Sequence, residues 1–307
     1  MSLKVSELSK SFNGKIAVDH VSFDMNEPGV FGLIGTNGAG KTTTIRMILG
    51  IMSADHGTAQ WNGNRIRRET LSFGYMPEER GLYMKNKVID QLVYFGMLRG
   101  MEKNAEKQSA LKLMKRLEIS EYSDMQAEKL SKGNQQKVQL AATLIHDPEL
   151  IFLDEPFSGL DPVNAEVLRN LILELVEEKK YIVLSSHQMT TVEEYCRDIL
   201  ILHHGKTLLE GNLSKIKSGC GRTNLIIKPE DKDRAAFEQI LENVGLKLIE
   251  KRAYEYEYRI NGEDEAVKVL KAMLAQNIYP LKYDVKEPSL QEIFVRSVET
   301  SERGNEQ

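Results

Sequence analysis

Residues 35–42 read Gly35-Thr36-Asn37-Gly38-Ala39-Gly40-Lys41-Thr42, a glycine, four free positions, then Gly-Lys-Thr. The pattern constrains the fold because it works only where a strand turns into a helix. The glycine-rich turn lets successive backbone N–H groups of Asn37, Gly38, Ala39 and Gly40 wrap phosphate, and the following helix aims its positive N-terminus at the same anion. The flanks agree: residues 29–34 form a short apolar run, and residues 43–49 carry helical apolar spacing. Lys41 is placed to reach the β- and γ-phosphates of a nucleoside triphosphate. Thr42 would put its hydroxyl on Mg²⁺, and Thr43 offers a second hydroxyl near the α-phosphate.

A second motif stands at residues 149–156, Glu149-Leu150-Ile151-Phe152-Leu153-Asp154-Glu155-Pro156. A parallel strand covered on both faces reads as a continuous apolar run, and ligands gather beyond its carboxyl end. Asp154 is therefore placed to hold Mg²⁺, directly or through water. Glu155 could accept a hydrogen bond from the water that attacks the γ-phosphate, since phosphoryl transfer depends mostly on positioning and charge stabilisation. Taken alone, the same acids could simply cap the next helix.

Residues 128–137 open a helical stretch carrying Val138, Leu140, Ala141, Leu144 and Ile145, with Ser131 as N-cap. Another apolar run, Tyr181-Ile182-Val183-Leu184-Ser185-Ser186, ends at His187, which by itself reads as structural. His203-His204 before Gly205-Lys206 reads as a hairpin turn and carries no assigned function.

The ordered set of phosphate loop, Leu130-Ser131-Lys132-Gly133-Asn134 helix start, apolar strand with Asp154-Glu155, Ser158-Gly159-Leu160-Asp161 and strand-end His187 resembles the nucleotide-binding subunit of an ATP-binding cassette (ABC) transporter. The resemblance covers roughly residues 1–217. It implies a P-loop NTPase of the ABC ATPase fold: an α/β, RecA-like core with an antiparallel β edge and a helical subdomain at about residues 85–145. It also implies ATP and Mg²⁺ as ligands, and a head-to-tail dimer with two ATP molecules between the subunits. Ser131, Lys132, Gly133 and Asn134 would then pack against the γ-phosphate held by the opposite subunit, and Ser158, Gly159, Leu160 and Asp161 would lie at the dimer contact. His187 resembles the switch histidine that contacts the γ-phosphate and holds Glu155 and water in line. Ser11-Phe12-Asn13-Gly14 resembles the aromatic loop, with Phe12 stacked on adenine and Val18 nearby; a core position is the competing reading for Phe12.

Two positions depart from the family pattern. Glu78, in Gly74-Tyr75-Met76-Pro77-Glu78-Glu79-Arg80-Gly81, stands where the family has glutamine. It could serve Mg²⁺ or the attacking water, and sense nucleotide state for the membrane subunit, or be a solvated acidic turn paired with Arg80. Lys132 replaces the usual signature glycine and would add bulk and charge beside the facing phosphate.

At 307 residues two domains are expected. No run of about 18 apolar residues occurs, so no span is expected, and the N-terminus runs straight into a strand with no signal-peptide core. Two cysteines suit a reducing compartment. With 41 basic against 45 acidic residues and no long basic tract, nucleic acid is not an expected partner. The chain should therefore pair with itself and with separate membrane permease subunits, peripheral to the cytoplasmic face of the membrane. Apolar Leu82, Tyr83 and Met84 read either as contacts for that permease or as core.

After a helical turn at 213–217, residues 218–221 read as a linker. Residues 222–300 then carry strand 224–228, helix 234–244, strands 247–251 and 254–260, helix 265–276 and strand 281–285. This β-α-β-β-α-β order is ferredoxin-like. The tail from Pro288 to Val295 resembles the extension of ABC-2 type multidrug, antibiotic and sodium export ATPases. The reading is thus an ATP-hydrolysing transporter subunit acting in export, with a C-terminal accessory domain; the alternative is a soluble ABC ATPase acting on ribosomes or DNA.

Overall fold

The computed structural model describes residues 1–66, 72–79, 81–102 and 104–305. Arg80, proposed above as a partner for an acidic turn, lies outside them. The chain divides into two units, Met1–Gly211 and Asn212–Gln307.

In the first unit, β1 (Leu3–Phe12) and β2 (Lys15–Met25) form a hairpin, and β3 (Gly29–Gly35) leads into α1 (Lys41–Ile48). Then come β4 (His56–Trp61), β5 (Asn64–Arg65), β6 (Phe73–Met76), α2 (Val88–Leu98), α3 (Ala105–Arg116), α4 (Lys132–Leu144) and β7 (Leu150–Asp154). The unit closes with α5 (Pro162–Glu177), β8 (Tyr181–Ser186), α6 (Met189–Tyr195), β9 (Asp198–His203) and β10 (Lys206–Asn212). Two sheets result. One is four-stranded, in the order β2-β1-β4-β5; the other is six-stranded, in the order β10-β9-β3-β8-β7-β6. The segments from β6 through β9 in the larger sheet pair in parallel. Their central members β3, β7 and β8 are buried along almost their whole length, as strands covered on both faces must be.

The main core lies between the two sheets, with α1 sandwiched there through Ile45, Met47 and Ile48. Phe23 of β2 stacks on Phe31 of β3 with ring centroids 4.5 Å apart, and Trp61 of β4 meets Tyr181 of β8 edge-on at 4.9 Å. Residues with positive φ close the hairpins: Asn62 and Gly63 (φ 52° and 77°) join β4 to β5, and His204 and Gly205 (φ 49° and 80°) join β9 to β10. Two successive positive φ angles make the turn whose twist matches antiparallel strands.

Helices α2, α3 and α4 pack together as the helical part of the unit. α5 begins cleanly because Asp161 caps it and Pro162 occupies its first turn. Among the described residues no helix is long and apolar enough to cross a membrane.

The second unit opens with α7 (Leu213–Gly219), capped by Asn212, whose side chain accepts the Lys215 N–H. This helix takes in Ser218 and Gly219, which the sequence reading placed in a linker; the chain turns only at Gly221, φ 69°. β11 (Asn224–Lys228), α8 (Arg234–Val244), β12 (Lys247–Lys251), β13 (Tyr256–Arg259), α9 (Glu263–Ala275), β14 (Lys282–Lys286) and α10 (Leu290–Asn305) follow. The sheet order β12-β13-β11-β14, antiparallel throughout, is the ferredoxin-like arrangement. Leu225, Ile227, Phe237, Ile240, Tyr256 and Val269 form its separate core.

One half-buried histidine makes the first unit acid-sensitive. His146, between α4 and β7, contacts the Phe73 carbonyl at 3.2 Å through Nε2, and burial pushes its pKa down to about 4. Below the ordinary value near 6.5, the unfolded chain takes up a proton that the native ring rejects, so its contribution is full above pH 6.5 and disappears as pH falls towards 4. Urea denaturation at pH 7.5, 6 and 5 should show stability declining across that window, and His146→Phe should flatten the decline.

Candidate nucleotide site

The parallel register sets three strand ends level. Ile34 of β3 stands opposite Ser186 of β8, and Ser185 opposite Asp154 of β7, so the loop after β3, the two acids and His187 all emerge on the same edge. That edge, beyond the carboxyl ends of parallel strands, is where open α/β sheets bind ligands.

The loop from Thr36 to Gly40 needs its glycines for two reasons. Gly38 and Gly40 have φ of 80° and 106°, in the region that side chains avoid. A Cβ on Gly40 would also lie 2.7 Å from the Ala17 carbonyl oxygen, and one on Gly35 would lie 2.5 Å from that of Leu202. The β9–β10 turn braces the loop from behind: Gly205 N–H donates to the Ala39 carbonyl at 3.2 Å, and Asp19 N–H donates to the Gly205 carbonyl at 2.8 Å. The resulting cleft of 360 Å³ is lined by Ala17, residues 37–43, Glu78 and Glu155. Thr42 and Thr43 are half-buried in its wall.

Lys41 is 6% exposed. Its Nζ donates to the carbonyls of Gly35 at 2.8 Å and Thr36 at 3.3 Å and lies 3.1 Å from Glu155 Oε1. Glu155, also 6% exposed, holds a left-handed backbone with φ 52°, a conformation costly for a non-glycine residue and frequent at functional sites. What secures it is Ser185, whose carbonyl and hydroxyl accept the Glu155 N–H at 3.2 and 3.0 Å. Glu155 Oε2 meets His187 Nδ1 at 2.8 Å.

Asp154 is 1% exposed. Its Oδ1 accepts the Ser185 hydroxyl at 2.5 Å, while Oδ2 is buried without a hydrogen-bond partner. A buried carboxylate oxygen left unsatisfied is costly in isolation, and it is the hard oxygen donor that Mg²⁺ takes. The residues present therefore fit the ion.

A second cleft, of 400 Å³, shares Glu78 and Glu155 with the first and is also lined by Lys132, Ser158 and Gly159. Two glutamines of α4 hold its walls: Gln136 donates to the Pro156 carbonyl, and Gln139 donates to the carbonyls of Pro77 and Glu79 at 2.8 and 3.1 Å. At the start of α4, the Ser131 hydroxyl accepts the Asn134 N–H at 3.2 Å, and Lys132 is exposed. Gly133 faces Asn164 so closely that a Cβ there would lie 2.5 Å from its amide nitrogen. In the 158–161 loop, Ser158 N–H donates to the Glu155 carbonyl at 3.1 Å, Gly159 has φ 71°, Leu160 N–H donates to the Phe157 carbonyl at 3.3 Å, and Asp161 caps α5.

Phe12 is 44% exposed at the end of β1, with Lys10 Nζ 5.8 Å from its ring centroid, which rules out the core alternative. Val18 differs from expectation: it is fully buried in the inter-sheet core, backing Gly40 from beneath, and its neighbour Ala17 offers the cleft face. The strand alternates, so only one of two adjacent residues can face out.

Chain comparisons now bear on this geometry. A family model described as ABC transporter matches residues 18–158, and one described as ATP-binding protein DrrA1-3-like, C-terminal domain, matches residues 211–298. The uncharacterized ABC transporter ATP-binding protein YhaQ of Bacillus subtilis is 42% identical over 96% of this chain and 98% of its own length. This chain belongs to the ABC transporter ATP-binding proteins. A counterpart in Alkalihalophilus pseudofirmus is 43% identical over 88% of this chain and 99% of its own. A solved structure described as the ATP binding subunit of an ABC transporter superposes with a TM-score of 0.65 at 31% identity, covering 72% of this chain and 94% of that one. The ABC ATPase binds ATP and hydrolyses it.

Several residues of this ABC ATPase site escaped sequence reasoning: Ser185, Gln136, Gln139, Asn164 and Gly205. Only Ser185 carried a signal, a hydroxyl at the end of an otherwise apolar strand. Its two bonds join Asp154 to the backbone of Glu155. Ser185→Ala should therefore cost about 1–3 kcal/mol of stability, the range for stranding a buried polar partner, and should lower ATP turnover; denaturation and steady-state assays check both.

Proposed function

We propose that this ABC ATPase drives export through a separate membrane permease, by closing and reopening a head-to-tail dimer around two ATP molecules. The observation that carries the reading is the convergence of Lys41, Asp154, Glu155 and His187 on one strand edge, with the Ser131 helix start exposed on the same unit.

In this mechanism the loop amides of residues 37–40 and Lys41 hold the phosphates, with Phe12 stacking on the base. Lys41 leaves its contact with Glu155 to meet them. Thr42 and Asp154 would hold Mg²⁺, with Glu78 at the cleft wall as a further oxygen; the ion would supply charge neutralisation of the phosphates. Glu155, oriented by His187, accepts the hydrogen bond of the attacking water, and residues 131–134 and 158–161 of the second copy complete the site. Hydrolysis serves the conformational cycle: closure follows from the tighter affinity of two ATP-loaded subunits.

Tyr83 and Met84 are exposed, and the Tyr83 ring lies 5.8 Å from that of Tyr94. They offer the permease an apolar contact, with Leu82 half-buried behind. Membrane association is then peripheral, through the permease at the cytoplasmic face. Export is favoured by the DrrA1-3-like C-terminal match and by a B. subtilis relative named linearmycin resistance ATP-binding protein LnrL, 28% identical over 95% of this chain.

Lys41→Ala should weaken ATP binding about 10–100-fold, the loss of one strong charge-assisted contact. Glu155→Gln should keep binding while losing about 10²–10⁴ in turnover, and should trap an ATP-dependent dimer on size exclusion. Wild-type turnover in that variant would remove the role given to Glu155. Glu78→Gln and Glu78→Ala should alter ATP turnover or transport; no effect on either would reduce Glu78 to a solvated acid. Tagged Glu155→Gln purified from native membranes with ATP should bring down a polytopic membrane protein in stoichiometric amount; ribosomal or DNA-repair proteins instead would sink the transport reading.

A further inference from the structure

Asn164 occupies the third position of α5, where its backbone N–H makes the ordinary cap bond to Asp161 Oδ1 at 2.9 Å. Its side chain does something a cap does not require. The amide Nδ2 donates to Asp161 Oδ2 at 2.5 Å, so both carboxylate oxygens of the loop residue are held by one asparagine. On its other side the same amide presses on Gly133, where a Cβ would lie 2.5 Å from Nδ2 and 2.9 Å from Cγ. Gly133 has no positive φ, so the absence of a side chain there answers to this approach and not to backbone strain.

We infer that Asn164 is a positioning residue that clamps the 158–161 loop to the first turn of α4, so that both move as one body against the nucleotide of the partner subunit. The inference rests on the sandwich dimer proposed above. Those two segments come from different parts of the chain, and a neighbouring contact, Gln136 of α4 donating to the Pro156 carbonyl, holds the chain ahead of the loop and not Asp161 itself. A wrong separation between them would leave the facing γ-phosphate held by one and missed by the other, and orientation errors of about 1 Å cost about 10²-fold in rate. The two hydrogen bonds also hold the Asp161 carboxyl below its ordinary pKa, which keeps the acceptor ionised.

The test uses the full chain. Asn164→Ala keeps the backbone cap bond, so Tm should stay within about 3 °C of wild type, and so should fluorescent-nucleotide binding to the monomer stay within two-fold. kcat should nevertheless fall about ten-fold or more with KM for ATP little changed. Asn164→Asp, the same shape with the donor replaced by a second anion beside Asp161, should be at least as impaired, and Asn164→Ser should recover part of the activity. Gly133→Ala should be impaired alone but add nothing in the Asn164→Ala background, where the space has been freed. Turnover within about two-fold of wild type in both Asn164→Ala and Asn164→Asp overturns the clamp, as does a fall in kcat matched by equal losses of monomer nucleotide affinity and Tm. The dimer reading is judged separately: if Glu155→Gln alone forms no ATP-dependent dimer, the sandwich fails; if it does, and Asn164→Ala/Glu155→Gln dimerises equally well while Asn164→Ala turns over normally, only the clamp fails.

Discussion

Everything at the nucleotide site depends on the parallel register of β3, β8 and β7. Three strands in step bring Gly35, Ser186 and Asp154 to one edge, and a slip of one residue would turn every side chain of a strand to the opposite face. That register is secured by burial: the inter-sheet core with α1 packs on the sheet, and helices α4 and α6 also pack against its strands. The site's chemistry is thus held by packing that has no chemistry of its own.

Within that frame the charged groups balance one another. Lys41 and Glu155 are both nearly inaccessible, and each would be costly to bury alone. Lys41 donates to the Gly35 and Thr36 carbonyls and lies in ion-pair range of Glu155 Oε1, while Glu155 Oε2 meets His187. Each acid nevertheless keeps one buried oxygen without a hydrogen bond, Oε1 of Glu155 and Oδ2 of Asp154. Two neighbouring carboxylate oxygens short of a bond suit this edge to receiving a cation.

Amide side chains join the helical part to this edge. Gln136 and Gln139 reach the carbonyls beyond β7 and β6, and Asn164 links α5 to α4. Neutral amides tie segments together without adding net charge, so the charge of the clefts is left to Lys41, Glu78, Lys132, Asp154 and Glu155. The second unit contributes none of these groups; its ferredoxin-like sheet has its own core and its own polar network, in which Arg259 and Asn224 hold Glu292 of α10.

The elements whose signals are local were legible in the sequence. The phosphate loop, the apolar runs of β3, β7 and β8, the Ser131 cap and the β-α-β-β-α-β order of the second unit each follow from short-range spacing, because backbone geometry and alternation act over a few residues. What lies across the chain was not. Ser185 meeting Asp154, Gly205 bracing Ala39, Asn164 against Gly133, and Val18 turned inward in place of Ala17 all depend on which strands and helices become neighbours. Residues thirty or more positions apart leave no shared pattern in a single sequence, so only the packed fold decides which of them touch. The sequence determined that this chain handles a nucleoside triphosphate; the tertiary structure decided which side chains hold the groups that do so in place, because that depends on register and burial and on no motif.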